Sequence, residues 1–531
     1  MEIERVTCHD LRPPISYNDV LYFLQFFVVQ STAELYEYPC KMFPPEIRNR
    51  SNPPAPTADE VCQYLDEYIQ EKGMTDKFKF NTNICDILCT SEDHWILEFD
   101  DFSTRHFTFV IVCNGLVSSK PKKISFPGQR SFTNNGGVIL HSSERRSNDI
   151  FKDKRVLVIG NGKSAVDAAA AAADVNANAI GSNTVKAPIQ LARRQTWYVP
   201  RYILGVLQYK WAFHSRIGSA LLPRYFETTF SLWKFLHILF APVKYILWRI
   251  VELVLLLQFW LPLRLWPKLC TIESAALETS VLITDSEHLV RLRKGVIDMR
   301  IGEVAKLEPG KATFKDGTEE DVDVIVMATG WKLSYDTFMS NDSIFFGLGL
   351  EKDALDFEDD GLWLYRNILP RGFKGMAFVG ANTLTFMNIY TSYVQAYWLA
   401  ELLAGKREWP SEAHMKDTID REKIFKRKYY KESEMRAASI EAYMQHYHDV
   451  LFQEMGARNP WNCLIRPIAS VLAPIVPAVM KGCLEPLEAL KAKPQKQETG
   501  TVARSDTTSP QSHEFDSASS TGSDEKPVVY V

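Results

Sequence analysis

Four consecutive apolar residues, Val156-Leu157-Val158-Ile159, stand between the charged pair Lys154-Arg155 and the run Gly160-Asn161-Gly162-Lys163-Ser164-Ala165, and an alanine-rich stretch follows. An apolar run this short, closed by glycine, predicts a buried strand, and the alanines predict a helix from Ser164 to Val175. Similar runs predict strands at Trp95 to Phe99, Phe107 to Cys113, Ile189 to Ala192, Lys311 to Phe314, Val322 to Met327 and Met376 to Val379. Helical patterning predicts helices from Ala58 to Lys72, Tyr390 to Leu403 and Ser411 to His448. Strands alternating with helices in this way imply an α/β fold with a mostly parallel sheet.

Two regions depart from that alternation. Between Trp197 and Lys268 the chain is at its most apolar, densest at Phe235 to Pro242 and Leu253 to Leu263. Tyr245 to Leu263 is long enough to cross a bilayer, but Arg249 and Glu252 sit inside it, three apart and so able to pair on one helix face. Lys234, Lys244, Arg249 and Arg264 interleave with Trp233, Trp248, Trp260 and Trp266, which suits helices lying in a membrane interface. Three readings stay open for residues 230–266: interfacial, spanning, or a buried insertion that covers a substrate. The second region is the polar tail 491–531, too poor in large apolar residues to offset its ordering entropy and expected to be disordered. Ahead of it, residues 461–490 are apolar but broken by Pro467, Pro474, Pro477 and Pro486.

Composition narrows the function classes. With 531 residues, 46% of them hydrophobic, the chain can bury more than one core, and a net charge of −4 gives no general attraction to nucleic acid. The nine cysteines include no Cys-x-x-Cys pair, which argues for a reduced intracellular protein and against a dithiol redox centre or a zinc ribbon. No metal site is expected. Met1 to Asp10 lacks a basic segment followed by an apolar core, so a secreted protein is not expected.

The candidate chemistry lies in the glycine-bearing run. In a strand–loop–helix unit that binds a dinucleotide, Gly160 would allow the tight turn, Gly162 would let backbone approach a pyrophosphate, and Ala165 would allow close helix packing. The pyrophosphate would rest on the helix N-terminus, lined by Asn161, Lys163 and Ser164. The bland alternative is a strand-to-helix turn with no ligand. At the end of the next strand an NAD site would carry a carboxylate for the ribose hydroxyls, whereas Ile189-Gln190-Leu191-Ala192 runs into Arg193-Arg194. Two guanidinium groups there favour a 2′-phosphate, and hence NADPH over NADH.

At this loop the sequence resembles the flavin-containing monooxygenases. Phe126-Pro127-Gly128 with Phe132, Gly137 and His141-Ser142 is similar to the fingerprint upstream of their NADPH loop. Ser31 to Pro39 and Val110 to Gly115 resemble their early loop and first connection between domains. Asp323 to Trp331, with Ala328-Thr329-Gly330, resembles their ATG motif. Phe378 to Asn382, with Gly380 and Asn382, is similar to the segment closing their FAD site.

The resemblance implies a Rossmann-like flavoprotein with two dinucleotide-binding domains and an apolar helical insertion. Its parts would be an FAD-type domain from 1–150 and 320–410, an NADPH domain at 151–319 with the insertion at about 200–268, and a helical region at 411–490. It further implies FAD and NADPH as cofactors, dioxygen as co-substrate, and oxygenation of a soft nitrogen or sulfur nucleophile, or a ketone, through a C4a-peroxyflavin. Gln30 falls where the family places an amide that steadies the oxygenated flavin. One family feature is missing: residues 1–30 contain no glycine, so the first βα unit of the FAD domain, with its Gly-x-Gly-x-x-Gly loop, is absent from the chain as written. The expected alternative is therefore a catalytically impaired, NADPH-binding scaffold attached to a membrane. Either would be intracellular, and membrane-associated or cytoplasmic.

Overall fold

The computed structural model describes residues 3–6, 31–50, 55–89, 94–116, 120–177, 186–227, 238–260, 266–267, 271–277, 281–332 apart from 285, and 357–457 apart from 374, 432 and 434, with short pieces of 473–484 and 528–530. Its clearest unit is a five-stranded parallel sheet. The strands are β1 (Val138–His141), β2 (Val156–Ile159), β3 (Ile189–Ala192), β4 (Asp298–Ile301) and β5 (Val324–Met327), in spatial order β4-β3-β2-β5-β1. Their apolar runs are continuous because central parallel strands are covered on both faces; all four residues of β3 and of β5 are buried. Helix α1 (Lys163–Val175) follows β2 and buries Ala165, Val166, Ala168, Ala169, Ala172 and Ala173. Short side chains let its axis lie close to the sheet.

A second sheet holds Phe109–Val112 between Met376–Phe378 and Val528–Tyr530, with Ile3–Val6 and Phe78–Lys79 beyond, all parallel. Val528–Tyr530 pairs with Ile3–Val6 on one side and Phe109–Val112 on the other. Two chain crossings join the sheets, where Lys120–Pro121 pairs antiparallel with Trp331–Lys332. Mixed α/β layering around two parallel sheets is the architecture the sequence predicts.

The helix expected from Ser411 to His448 is instead two helices, Glu412–Tyr429 and Met444–Glu454. Tertiary charge pairing decides the break. Arg436 Nη1 donates to Asp360 Oδ2 at 2.6 Å and Arg427 Nε to the same oxygen at 3.1 Å, while Lys426 Nζ donates to the Ala437 carbonyl at 2.8 Å. These bonds fold the chain back after Tyr429.

The apolar insertion is only partly helical. A tight hairpin pairs Tyr202–Ile203 with Leu207–Gln208, two short helices follow at Tyr209–Phe213 and Arg216–Leu221, and α2 covers Ala241–Phe259. Among the described residues no helix is long and apolar enough to cross a membrane. The Arg249–Glu252 pair forms at 2.6 Å, and Glu252 also accepts from the Ile272 backbone N–H at 2.9 Å, so this charge faces protein. Trp248, Glu252, Leu255 and Phe259 make the buried face, whereas Tyr245, Ile246, Ile250, Leu253 and Leu257 are each more than half exposed. Trp233, Lys234 and Arg264 lie outside the described residues.

Candidate functional site

The loop after β2 runs under the end of β5. Gly160 has φ of +141° and donates its N–H to Leu191 O at 2.9 Å, and a Cβ placed on it would lie 2.2 Å from Ala328 O. Only glycine fits between those strand ends. Gly162 differs: its φ of −86° suits any residue, and a Cβ there would meet nothing within 4 Å. The space is open above Gly162, on the side where a ligand would approach.

Gly162 is also the N-cap of α1, and no side chain caps that helix. The first-turn N–H groups of a helix have no partner within it, so an uncapped N-terminus opening on free space is a ready anion site. The loop is held in shape from below, with Asn161 Nδ2 donating to Thr196 Oγ1 at 2.7 Å and to Arg194 O at 3.2 Å. Those bonds tie it to the chain leaving β3, where Arg193 and Arg194 are both exposed. Lys163 is turned along the helix to pair with Asp167, one turn on. Gly160 to Ala165, Arg193, Arg194 and Ala328 thus converge at the carboxyl ends of β2, β3 and β5, where nucleotides bind in open α/β sheets. The residues present fit a phosphorylated dinucleotide: open space at Gly162, a helix N-terminus without a side-chain cap and two adjacent guanidinium groups.

Thr329 and Gly330 lie on the crossing to the second sheet. The Thr329 hydroxyl bonds Lys122 O, and Lys122 donates its N–H to Gly330 O at 2.9 Å. His141, wholly buried, donates from Nε2 to the same Gly330 carbonyl at 3.1 Å, while its Nδ1 accepts from the Ser143 N–H. Its work is to fix the crossing.

Gly380 and Asn382 belong to the second sheet, beyond Met376–Phe378. Gly380 N–H donates to Gln395 Oε1 at 2.8 Å, and Val379 N–H to Val112 O at 3.0 Å, which sets the two strand ends side by side. Asn382 is fully buried and its amide donates to Leu362 O at 2.8 Å, within the core. Gln30 lies outside the described residues. Among those described, Gly160 to Ala165 is the one glycine-rich strand-to-helix loop; the second sheet offers FAD two strand ends without a phosphate loop of that type.

Sequence reasoning missed a cavity between the 199–283 segment and the chain around Phe386 and Glu441. Val199, Tyr209, Phe213, His214, Leu222 and Trp248 form one side, and Phe386, Glu441, Ala442 and Met444 the other. It borders Ser31: Phe386 O accepts from the Ser31 hydroxyl at 2.8 Å, and Tyr209 lies against Ser31 and Thr32. Burial, with a smaller contribution from Lys210, pulls the His214 imidazole down to about 4, and burial pushes the Glu441 carboxyl up to about 8. The available signal was Glu441 itself, a single acid in the run Ala437 to Met444.

The chain matches the flavin-binding monooxygenase-like (FMO-like) family over residues 31–242 and 271–466. It is 24% identical over 474 residues to the probable flavin-containing monooxygenase 1 of Arabidopsis thaliana, covering 82% of this chain and 84% of that one. It is 23% identical to the dog (Canis lupus familiaris) flavin-containing monooxygenase 3, covering 84% and 76%. Among solved structures it is similar to OTEMO in complex with FAD and NADP, with a TM-score of 0.55 at 16% identity, covering 82% and 90% of the two chains. That likeness supports the two-nucleotide-domain fold. With the family matched across most of its length, this chain belongs to the flavin-binding monooxygenase-like family, whose members use FAD and NADPH.

Proposed function

We propose that the chain is an NADPH-dependent flavin monooxygenase that oxygenates a soft nitrogen or sulfur nucleophile, or a ketone. The observation that carries this is the uncapped N-terminus of α1 beneath open space at Gly162, with Arg193 and Arg194 alongside. In this reading the first-turn N–H groups hold the pyrophosphate and the two guanidinium groups hold the 2′-phosphate. Bound FAD supplies the oxygen-transfer chemistry; the protein binds, orients and excludes water. Gly380, the buried Asn382 behind it and the Thr329–Gly330 crossing would form the walls around the flavin, with Gln30 offering it an amide. The domains would divide as 1–150 with 320–410, 151–319, and 411–490.

The test is the visible spectrum of the purified chain supplied with FAD. Absorbance near about 450 nm that NADPH bleaches and air restores supports the enzyme. A colourless protein that still binds NADPH would refute it and support an NADPH-binding protein without catalysis. Membrane contact through the exposed face of α2 is a separate proposal, resting on its outward apolar side chains.

A further inference from the structure

We propose that the cavity between Tyr209, His214, Phe386 and Glu441 is the substrate pocket, and that it selects a neutral, largely hydrocarbon molecule whose single hydrogen-bond acceptor meets the Glu441 carboxyl. The role as substrate pocket rests on the monooxygenase reading; the binding chemistry does not.

Three observations support it. The cavity lies between the 199–283 segment and the turn at Glu441 to Met444, and it borders Ser31, the residue after Gln30. Its lining is apolar apart from His214 and Glu441, with the Tyr209 hydroxyl beside Ser31. Those polar groups are unsatisfied: His214 is 2% exposed and its Nδ1 has no partner, and Glu441 has no hydrogen bond or ion pair among the described residues. Glu441 is enclosed by protein yet keeps partly accessible surface, which is how a side chain on a cavity wall behaves.

The surrounding charges settle the ligand's charge. Around Glu441 stand His214 and Tyr209 across the cavity, Tyr430 behind it, Tyr443 beside it, and Glu273 on the helix Ile272–Leu277 packed against the same turn. Lys210, behind His214, is already paired with Glu34, and Lys244 interacts with Glu273. Burial pushes the Glu441 carboxyl up to about 8 and pulls the His214 imidazole down to about 4, which favours the neutral form of both. A carboxylate ligand would enter as an unpaired buried anion, which is strongly unfavourable. A carbonyl or thioether can accept the Glu441 proton in a hydrogen bond with no charge buried.

The test is equilibrium binding of 2-decanone to the full chain without cofactors, read by quenching of tryptophan fluorescence, since Trp248 lines the wall. Decanoate and decane, which lack charge neutrality and the acceptor respectively, are the controls. Saturable binding of 2-decanone at pH 7 is expected, weakening about tenfold by pH 9 as Glu441 ionises. E441Q should keep the binding and lose the pH dependence, because its amide still donates. A276F, or L222F from the opposite wall should the first variant fold poorly, should abolish it. Decanoate binding as tightly at pH 7, an unchanged pH profile in E441Q, or binding indifferent to filling the cavity would overturn the assignment. A colourless protein that binds 2-decanone as described would overturn the monooxygenase reading alone. A flavin-active protein whose turnover A276F leaves untouched would overturn the pocket alone.

Discussion

Gly160 and Gly162 lie two residues apart in one loop, and the structure gives them opposite jobs. In Gly160→Ala the new methyl would sit 2.2 Å from Ala328 O at a φ of +141°, a conformation that L residues rarely adopt. Backbone strain of about 1–3 kcal/mol adds to overpacking of about 1–3 kcal/mol, so the variant should lose roughly 2–6 kcal/mol of stability, a large share of the margin of an ordinary domain. In Gly162→Ala the methyl enters open space at a φ of −86°. Its effect on folding should stay within about 1 kcal/mol and be slightly favourable, because alanine restricts the unfolded chain. If a pyrophosphate occupies that space, the methyl overpacks it by about 1–3 kcal/mol, which is roughly a 5- to 150-fold rise in the dissociation constant for NADPH. Thermal unfolding without ligand and calorimetric titration with NADPH separate the two effects. The reasoning fails if Gly162→Ala lowers the melting temperature as much as Gly160→Ala does, or leaves NADPH affinity within about twofold.

Replacing Arg193 and Arg194 together by Glu should weaken NADPH by at least about tenfold and leave NADH nearly unchanged, since the repelled group is the 2′-phosphate; steady-state titration of both nucleotides measures this. Asp360→Ala removes the carboxylate that bonds Arg427, Arg436 and the Trp363 indole, and should destabilise by about 1.5–3 kcal/mol through those lost charged hydrogen bonds, while Arg427 keeps Glu358 and Arg436 keeps the Tyr430 and Lys431 carbonyls. Burial works against ionisation of Asp360, but these donors prevail and hold it down at about 2. Its stabilising contribution is therefore present above pH 4 and lost as pH falls towards 2, so in acid unfolding the variant and the parent should converge. On α2, L253E with L257E changes two side chains each 55% exposed and should leave the melting temperature unaltered while abolishing any flotation with phospholipid vesicles; flotation that persists in the variant would remove the membrane proposal for this face.

Local chemistry explains what could be read in advance. The run from Val156 to Ala165 carries its strand, turn and helix start in adjacent residues, and α1 begins at Lys163, one residue before the position patterning predicts. Strands 95–99, 189–192 and 311–314 have the predicted ends because apolar runs closed by polar or glycine residues are local signals. The Arg249–Glu252 pair follows from helical spacing alone. Spacing could not show that Glu252 also bonds Ile272 and belongs to the buried face, because that partner is 20 residues away.

The sequence by itself determined the glycine-bearing strand–turn–helix, the alternation of strand and helix and the resemblance that names the family, all written in neighbouring residues. Tertiary structure alone decided four further points: that Ala328 closes over Gly160 while Gly162 stays open, that Asn382 turns its amide into the core, that Asp360 breaks the helix after Tyr429, and that Glu441 meets His214 across an apolar cavity. Each depends on residues far apart in the chain, and burial and charge at such a point are properties of the packing rather than of any one segment.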